Sequence, residues 1–175
     1  MPPHLTALCS IYIIDRLLDN KSSKNETIRK YEMKQPEIRR KDLLYPELSY
    51  EIVGCAVEVQ RHLGPGLLES IYSNCLLEEL NEVGLRAVSQ VEVPVQYKGK
   101  LLAAPLRLDI LVNDLVVVEV KAVDIIIPVF KAQLLTYLKL SGRPKGLLLN
   151  FNCEQITRDG LVPLVTQEFG ALPKS

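Results

Sequence analysis

The sequence is defined first by what it lacks. Its four cysteines, Cys9, Cys55, Cys75 and Cys153, show no C-x-x-C spacing. That argues against a zinc or iron–sulfur centre and for reduced thiols in a cytoplasmic protein. No apolar run reaches the roughly 20 residues that span a bilayer, so no membrane is expected. A secretory signal is not expected either: the apolar stretch at residues 5–18 has no basic region before it and is interrupted by Asp15 and Arg16. There is no internal repeat and no net charge, with 21 basic and 21 acidic residues. Neutrality removes any global steering towards nucleic acid but leaves local patches free to act. What remains is a globular profile, 47% hydrophobic and 24% charged over 175 residues, which suits one domain of ordinary size.

Charge is unevenly spread. Between residues 21 and 41 stand Lys21, Lys24, Arg29, Lys30, Lys34, Arg39, Arg40 and Lys41, against Glu26, Glu32 and Glu37. A solvated, flexible segment is the simplest reading, and a nucleic-acid arm the other. Residues 1–45 therefore read as an appendage, with a short amphipathic helix over 5–18 and a mobile linker over 20–30; an upstream start assigned in error would give the same picture. Residues 46–175 form the domain proper. Leu48, Ile52, Ala56, Val59 and Leu63 recur at helical spacing and predict a helix over 47–63, ended by Gly64-Pro65-Gly66. A second helix is expected over 68–83, with Leu68, Tyr72, Cys75 or Leu76, and Leu80 inward and Gly84 just past its end. Cys55 and Cys75 read as core, and His62 as a partner of the first helix's dipole. Strands follow at 91–97, at 101–112 with a bulge suggested by Pro105, and at 115–121. A helix over 128–140 turns Phe130, Leu134 and Leu138 to the sheet and sets Gln133 and Tyr137 together on one flank. Residues 146–151 form a buried strand that this helix allows to run parallel to 115–121. A short hairpin is expected over 153–165. The fold class is α/β, a mixed sheet in the order α-α-β-β-β-α-β.

One feature of this sheet is anomalous. The β-branched run before Lys121 reads as buried on both faces, yet it ends in Glu119 and Lys121, and the preceding strand carries Asp109. Charges in so apolar a place cost several kcal/mol each unless paired or bound to a metal. Residues i and i+2 share a face, so Glu119 and Lys121 point together. A two-residue loop at Asn113-Asp114 would place Asp109 on the opposite face. An odd loop or a bulge would place it beside them. Convergence of the three therefore demands a three-residue turn or a bulge; otherwise they are an ordinary strand-end ion pair. Converging, two carboxylates suit Mg²⁺ or Mn²⁺, the backbone carbonyl of Val120 adds a ligand, and Lys121 can hold a phosphate oxygen or assist an attacking water. Glu69, in a helix's first turn, reads by itself as a dipole-favoured acid, and Gly66 as backbone geometry.

Several motifs match together. Gly66-Leu-Leu-Glu69-Ser-Ile-Tyr72, Arg107-Leu-Asp109, Glu119-Val-Lys121, Gln133-Leu-Leu-Thr-Tyr137 and Gly146-Leu-Leu-Leu-Asn-Phe-Asn152 resemble, in order, the GxxExxY family of the PD-(D/E)XK nuclease superfamily, over residues 48–165. Leu108 stands where the motif's proline would be, a common departure. The resemblance implies a restriction-endonuclease-like α-β-β-β-α-β core with an extra N-terminal helix. It implies metal binding by Asp109 and Glu119, assistance from Lys121, and supporting roles for Glu69, Gln133 and Tyr137. The activity it implies is metal-dependent hydrolysis of DNA or RNA. The alternatives are a non-catalytic nucleic-acid-binding module of the same fold and a protein-interaction subunit; a homodimer or a partner protein would fit either.

Overall fold

A computed structural model describes residues 45–166. The expected helix over 5–18, the linker over 20–30, the basic segment over 21–41 and the chain end beyond 166 lie outside the described residues.

Helix α1, Pro46–Leu63, starts with proline at its first turn and stops at Gly64, whose φ of 66° ends the helical path. It buries Ile52, Cys55, Ala56 and Val59. Helix α2, Glu69–Glu82, buries Tyr72, Leu76 and Leu80, and Gly84 follows it with φ 85°. Five strands form a mixed sheet: β1 Ala87–Val93, β4 Leu106–Val112, β5 Val116–Lys121, β6 Lys145–Asn150 and β7 Leu161–Val165, in the order β1-β4-β5-β6-β7. β2 Gln96–Tyr97 and β3 Lys100–Leu101 make a separate small hairpin. Helix α3, Pro128–Ser141, connects β5 to β6, which run parallel; every other pairing is antiparallel.

The sheet is the middle of three layers. On one face Ile110, Val112, Val118, Val120, Leu149 and Phe151 pack against α1 and α2. On the other, Leu108, Leu111, Val117 and Leu148 pack against Leu134 and Leu138 of α3. Each such side chain contributes about 1.5–3 kcal/mol by leaving water. Gly146 keeps the second layer tight, because a Cβ there would press to 2.9 Å from a Leu134 methyl.

Four expectations need correction. Leu68, expected to face inward, instead lies just before α2 and is largely exposed. The strand expected at 91–97 is β1, shifted towards the N-terminus, because Pro94 cannot donate to a ladder and Lys98-Gly99 take left-handed φ values of 49° and 77° in the small hairpin's turn. The strand expected from 101 begins only at Leu106, past Pro105. The hairpin expected at 153–165 is a π-helical turn, Ile156–Gly160, followed by the single edge strand β7. The Gln60 side chain fixes that turn by donating to the Cys153 carbonyl at 2.8 Å and accepting from the Ile156 N–H at 2.9 Å. Glycine is required at 160, where a Cβ would collide with the Asn150 carbonyl oxygen.

Candidate active site

The loop between β4 and β5 decides which side chains can meet. Val112 pairs with Val116, leaving Asn113, Asp114 and Leu115 as a three-residue turn. Asn113 and Asp114 take φ values of 50° and 62°, which these two residue types tolerate better than most. The Asn113 side chain accepts the Arg86 N–H at 2.9 Å, and Arg143 holds Asp114 at 2.7 Å. With Ile110 opposite Val118, Asp109 comes level with Glu119 and on its face, the parity that convergence demands.

Regular pairing stops at that level. Instead of a backbone carbonyl, the Asp109 carboxylate accepts the Val120 N–H at 3.0 Å. On the other side of β4, Ser89 pairs with Ile110 and Val91 with Leu108, but the rung between, Gln90 and Asp109, is missing. Gln90 has φ 54° in mid-strand. A left-handed backbone costs a residue without glycine's freedom about 1–2 kcal/mol. The alternation of faces also breaks here. Ile110 and Val112 belong to the α1/α2 layer, whereas Leu106 and Leu108 belong to the α3 layer.

Glu119 and Lys121 project together at the C-terminal end of β5. Lys121 donates from Nζ to Glu119 Oε1 at 2.8 Å and lies 3.4 Å from Glu69 Oε1 at the start of α2. Its ammonium also lies 5.6 Å from the centre of the Phe130 ring on α3. Glu119 is almost completely buried, Lys121 largely so, and Glu69 is half exposed. Burial first, and then the nearby Asp109 charge, push the Glu119 carboxyl above the usual range, against the pull of Lys121. Burial works to lower the Lys121 pKa, but its bond to Glu119 and the charges of Glu119, Glu69 and Asp109 outweigh it, and the net shift is upward. One cation thus stands among three carboxylates.

The remaining lone pairs are informative. Glu119 Oε2 is buried and has no hydrogen-bond partner among the described residues. An ionised carboxylate oxygen left so costs more than any neutral orphan. No three of His, Cys, Asp and Glu come together as a ready-made metal centre among the described residues. The donor set is instead two carboxylates, which suits a hard cation that completes its shell with water and substrate oxygens. The unpaired Oε2 beside the Asp109 charge fits such an ion.

Neighbouring residues fix this geometry. Buried Tyr72 accepts the Leu67 N–H at 3.1 Å, donates to the Gly64 carbonyl at 2.6 Å, and stacks on Phe151 at 4.6 Å between ring centres. It thereby ties down the loop that launches Glu69. Gly66 in that loop has φ 97° and open space where a Cβ would lie, so its backbone angle, not crowding, calls for glycine. Asn150, level with Lys121 on β6, accepts the Val123 N–H at 3.0 Å and donates to the Val123 carbonyl at 2.7 Å. It clamps the chain just beyond Lys121. Reading the sequence gave Asn150 no role, although an amide closing an apolar strand was a usable sign. Gln133 donates to the Tyr137 hydroxyl at 2.7 Å, and neither bonds to the carboxylates; from α3 it is the Phe130 ring that lies near the Lys121 ammonium. The Val120 side chain is buried in the α1/α2 layer. Glu69, Asp109, Glu119 and Lys121 are therefore brought together, whereas Gln133 and Tyr137 bond to each other on α3.

No match was found among curated proteins or among solved structures. The model of one protein family does match, over residues 46–160, a span that takes in α1 through the π-helical turn and all four converging charges. On that match, which covers most of the sequence, the chain belongs to the PD-(D/E)XK nuclease superfamily.

Proposed function

We propose that this chain is a divalent-metal-dependent nuclease of the GxxExxY branch, hydrolysing phosphodiester bonds of DNA or RNA. Its catalytic unit is residues 46–175, with residues 1–45 as an appendage. The observation that carries the reading is the partnerless, buried Glu119 Oε2 beside Asp109 and Lys121. Asp109, Glu119 and the Val120 carbonyl would hold Mg²⁺ or Mn²⁺. Bound there, the ion would supply Lewis acidity and a more acidic water. Lys121, kept protonated by its carboxylate neighbours, donates to a phosphate oxygen or orients the water. Glu69 steadies the Lys121 ammonium from the far side. The Gln133–Tyr137 pair borders the site and presents an amide and a hydroxyl to substrate. The free thiols of Cys75 and Cys153 suit work in a reducing cytoplasm. No described helix is long and apolar enough to cross a membrane.

Labelled DNA and RNA, incubated with Mg²⁺ or Mn²⁺ and separately with EDTA, test the proposal. Cleavage by the wild type is expected only with metal, and Lys121→Ala should slow it about 10²–10⁴-fold. Equal behaviour of the two proteins would overturn it.

A non-catalytic module is the second reading, favoured by one observation. The described residues carry more acidic than basic side chains, which gives a phosphate backbone little attraction. Metal binding without turnover on any nucleic acid would decide for it.

A further inference from the structure

The missing rung beside Asp109 has a cause outside the charged cluster. Gln90 lies on β1, an edge strand of the sheet, directly across from Asp109 by register. Its side chain is exposed and makes no hydrogen bond among the described residues. Only its backbone is unusual: φ is 54° where both neighbours continue the strand. Glutamine has no short side chain to stabilise that conformation locally, as asparagine or aspartate would. Strain of this kind persists only where its surroundings demand it, and it clusters at functional sites.

The surroundings are clear. On both sides of the rung the β1–β4 register is unchanged, so no residue has been inserted in one strand alone. Yet both strands change layer there: Ala87 packs with the α1/α2 layer, while Val91 and Val93 pack with α3. A swivel at Gln90 and Asp109 accomplishes this change. It also releases the Asp109 backbone from β1 on one side and from β5 on the other, where pairing ends at Ile110 and Val118. The freed carboxylate then takes the Val120 N–H.

We infer that Gln90 is a positioning residue: its left-handed backbone, across the missing rung, holds Asp109 out of the ladder so that a carboxylate rather than a peptide carbonyl meets β5 beside Glu119. The inference rests on the nuclease reading only for what Asp109 does there, not for where it is held.

The exposed side chain permits a clean test. Gln90→Gly and Gln90→Asn accept positive φ; Gln90→Val and the milder Gln90→Thr resist it. Two quantities are measured: NMR amide exchange at Val120, which needs no metal, and Mn²⁺ affinity by titration. Glycine and asparagine should keep both at wild-type levels. Valine and threonine should speed Val120 exchange at least tenfold and weaken Mn²⁺ binding about 10-fold, the usual cost of a lost supporting contact, while Leu148 stays protected. Wild-type values in Gln90→Thr, or equal losses in Gln90→Gly and Gln90→Thr, would overturn the inference. Should Gln90→Val fail to fold, glycine against threonine decides. Should the wild type bind no Mn²⁺, the nuclease reading fails by itself, and Val120 exchange still settles the role of Gln90.

Discussion

The two halves of β5 obey opposite rules. Val116, Val117 and Val118 are fully buried, pair on both sides with β4 and β6, and send side chains alternately into the two layers. In the remainder of the same strand, Glu119 and Lys121 are nearly as inaccessible, but β4 has let go and the contacts are charged. The first half is held by apolar burial, which has no direction and needs no partner of a given sign. The second half is held against its own desolvation by one lysine, and it leaves one carboxylate oxygen unsatisfied. Stability and chemistry are thus separated along a single strand, and substitutions in the two halves should have different signatures.

The largest effect should come from the charged half and leave the fold alone. Asp109→Asn keeps an acceptor for the Val120 N–H but loses the charge. Metal-dependent cleavage should fall about 10²–10³-fold, with little change in Tm. A large fall in Tm would mean that the carboxylate is structural and the separation false. The apolar half gives the converse. Leu111 sits opposite Val117 in the α3 layer, and Leu111→Ala should cost about 2–5 kcal/mol in urea unfolding while the remaining folded protein cleaves at the wild-type rate.

A smaller effect of opposite sign sharpens the comparison. Because the Glu119 carboxyl is held above its ordinary value, the folded protein binds a proton that the unfolded chain does not, over the pH range from about 4.5 up to the raised value. Stability of the metal-free protein should fall as pH rises through that range. Lys121 is raised above 10.5, so its contribution is complete at neutral pH and is lost only as pH rises through its own raised value. Glu119→Gln should therefore abolish cleavage yet raise stability in EDTA by about 0.5–2 kcal/mol near pH 7, and remove the acidic-side slope. A thermal melt series across pH checks all of this. Loss of stability would mean that Lys121 depends on Glu119 more than Glu119 suffers from burial.

Much of this arrangement could be read from residue types, because it follows from periodicity and parity. Helical spacing located α1, α2 and α3, and the face rule turned the charges at Asp109, Glu119 and Lys121 into a requirement on loop length that Asn113, Asp114 and Leu115 meet. The strand ends misjudged near Pro94 and Pro105 have local causes, but the turn at 156–160 has a long-range one. Nothing local in residues 153–165 announces that Gln60, on α1, will hold a π-helical turn there. Gln90 is less visible still, since a polar residue between Ser89 and Val91 looks like any outward position of an alternating strand. Its backbone is set by the layer change around it. Asn150 lay between these cases, conspicuous in type but silent about its partner until the chain beyond Lys121 came against it.

The smallest expected effect concerns the border between the two kinds of region. Tyr137 packs partly into the α3 layer and also accepts the Gln133 amide, so it belongs to both. Tyr137→Phe keeps the ring and removes only the hydroxyl. If the hydroxyl is merely a partner for Gln133, stability should drop by about 0.5–1.5 kcal/mol and cleavage should be unchanged. If it faces substrate, KM or kcat should shift several-fold at nearly constant Tm. The functional reading expects the second result, and Gln133→Ala should then reproduce the same kinetic change, since without the amide the hydroxyl loses the one bond that orients it.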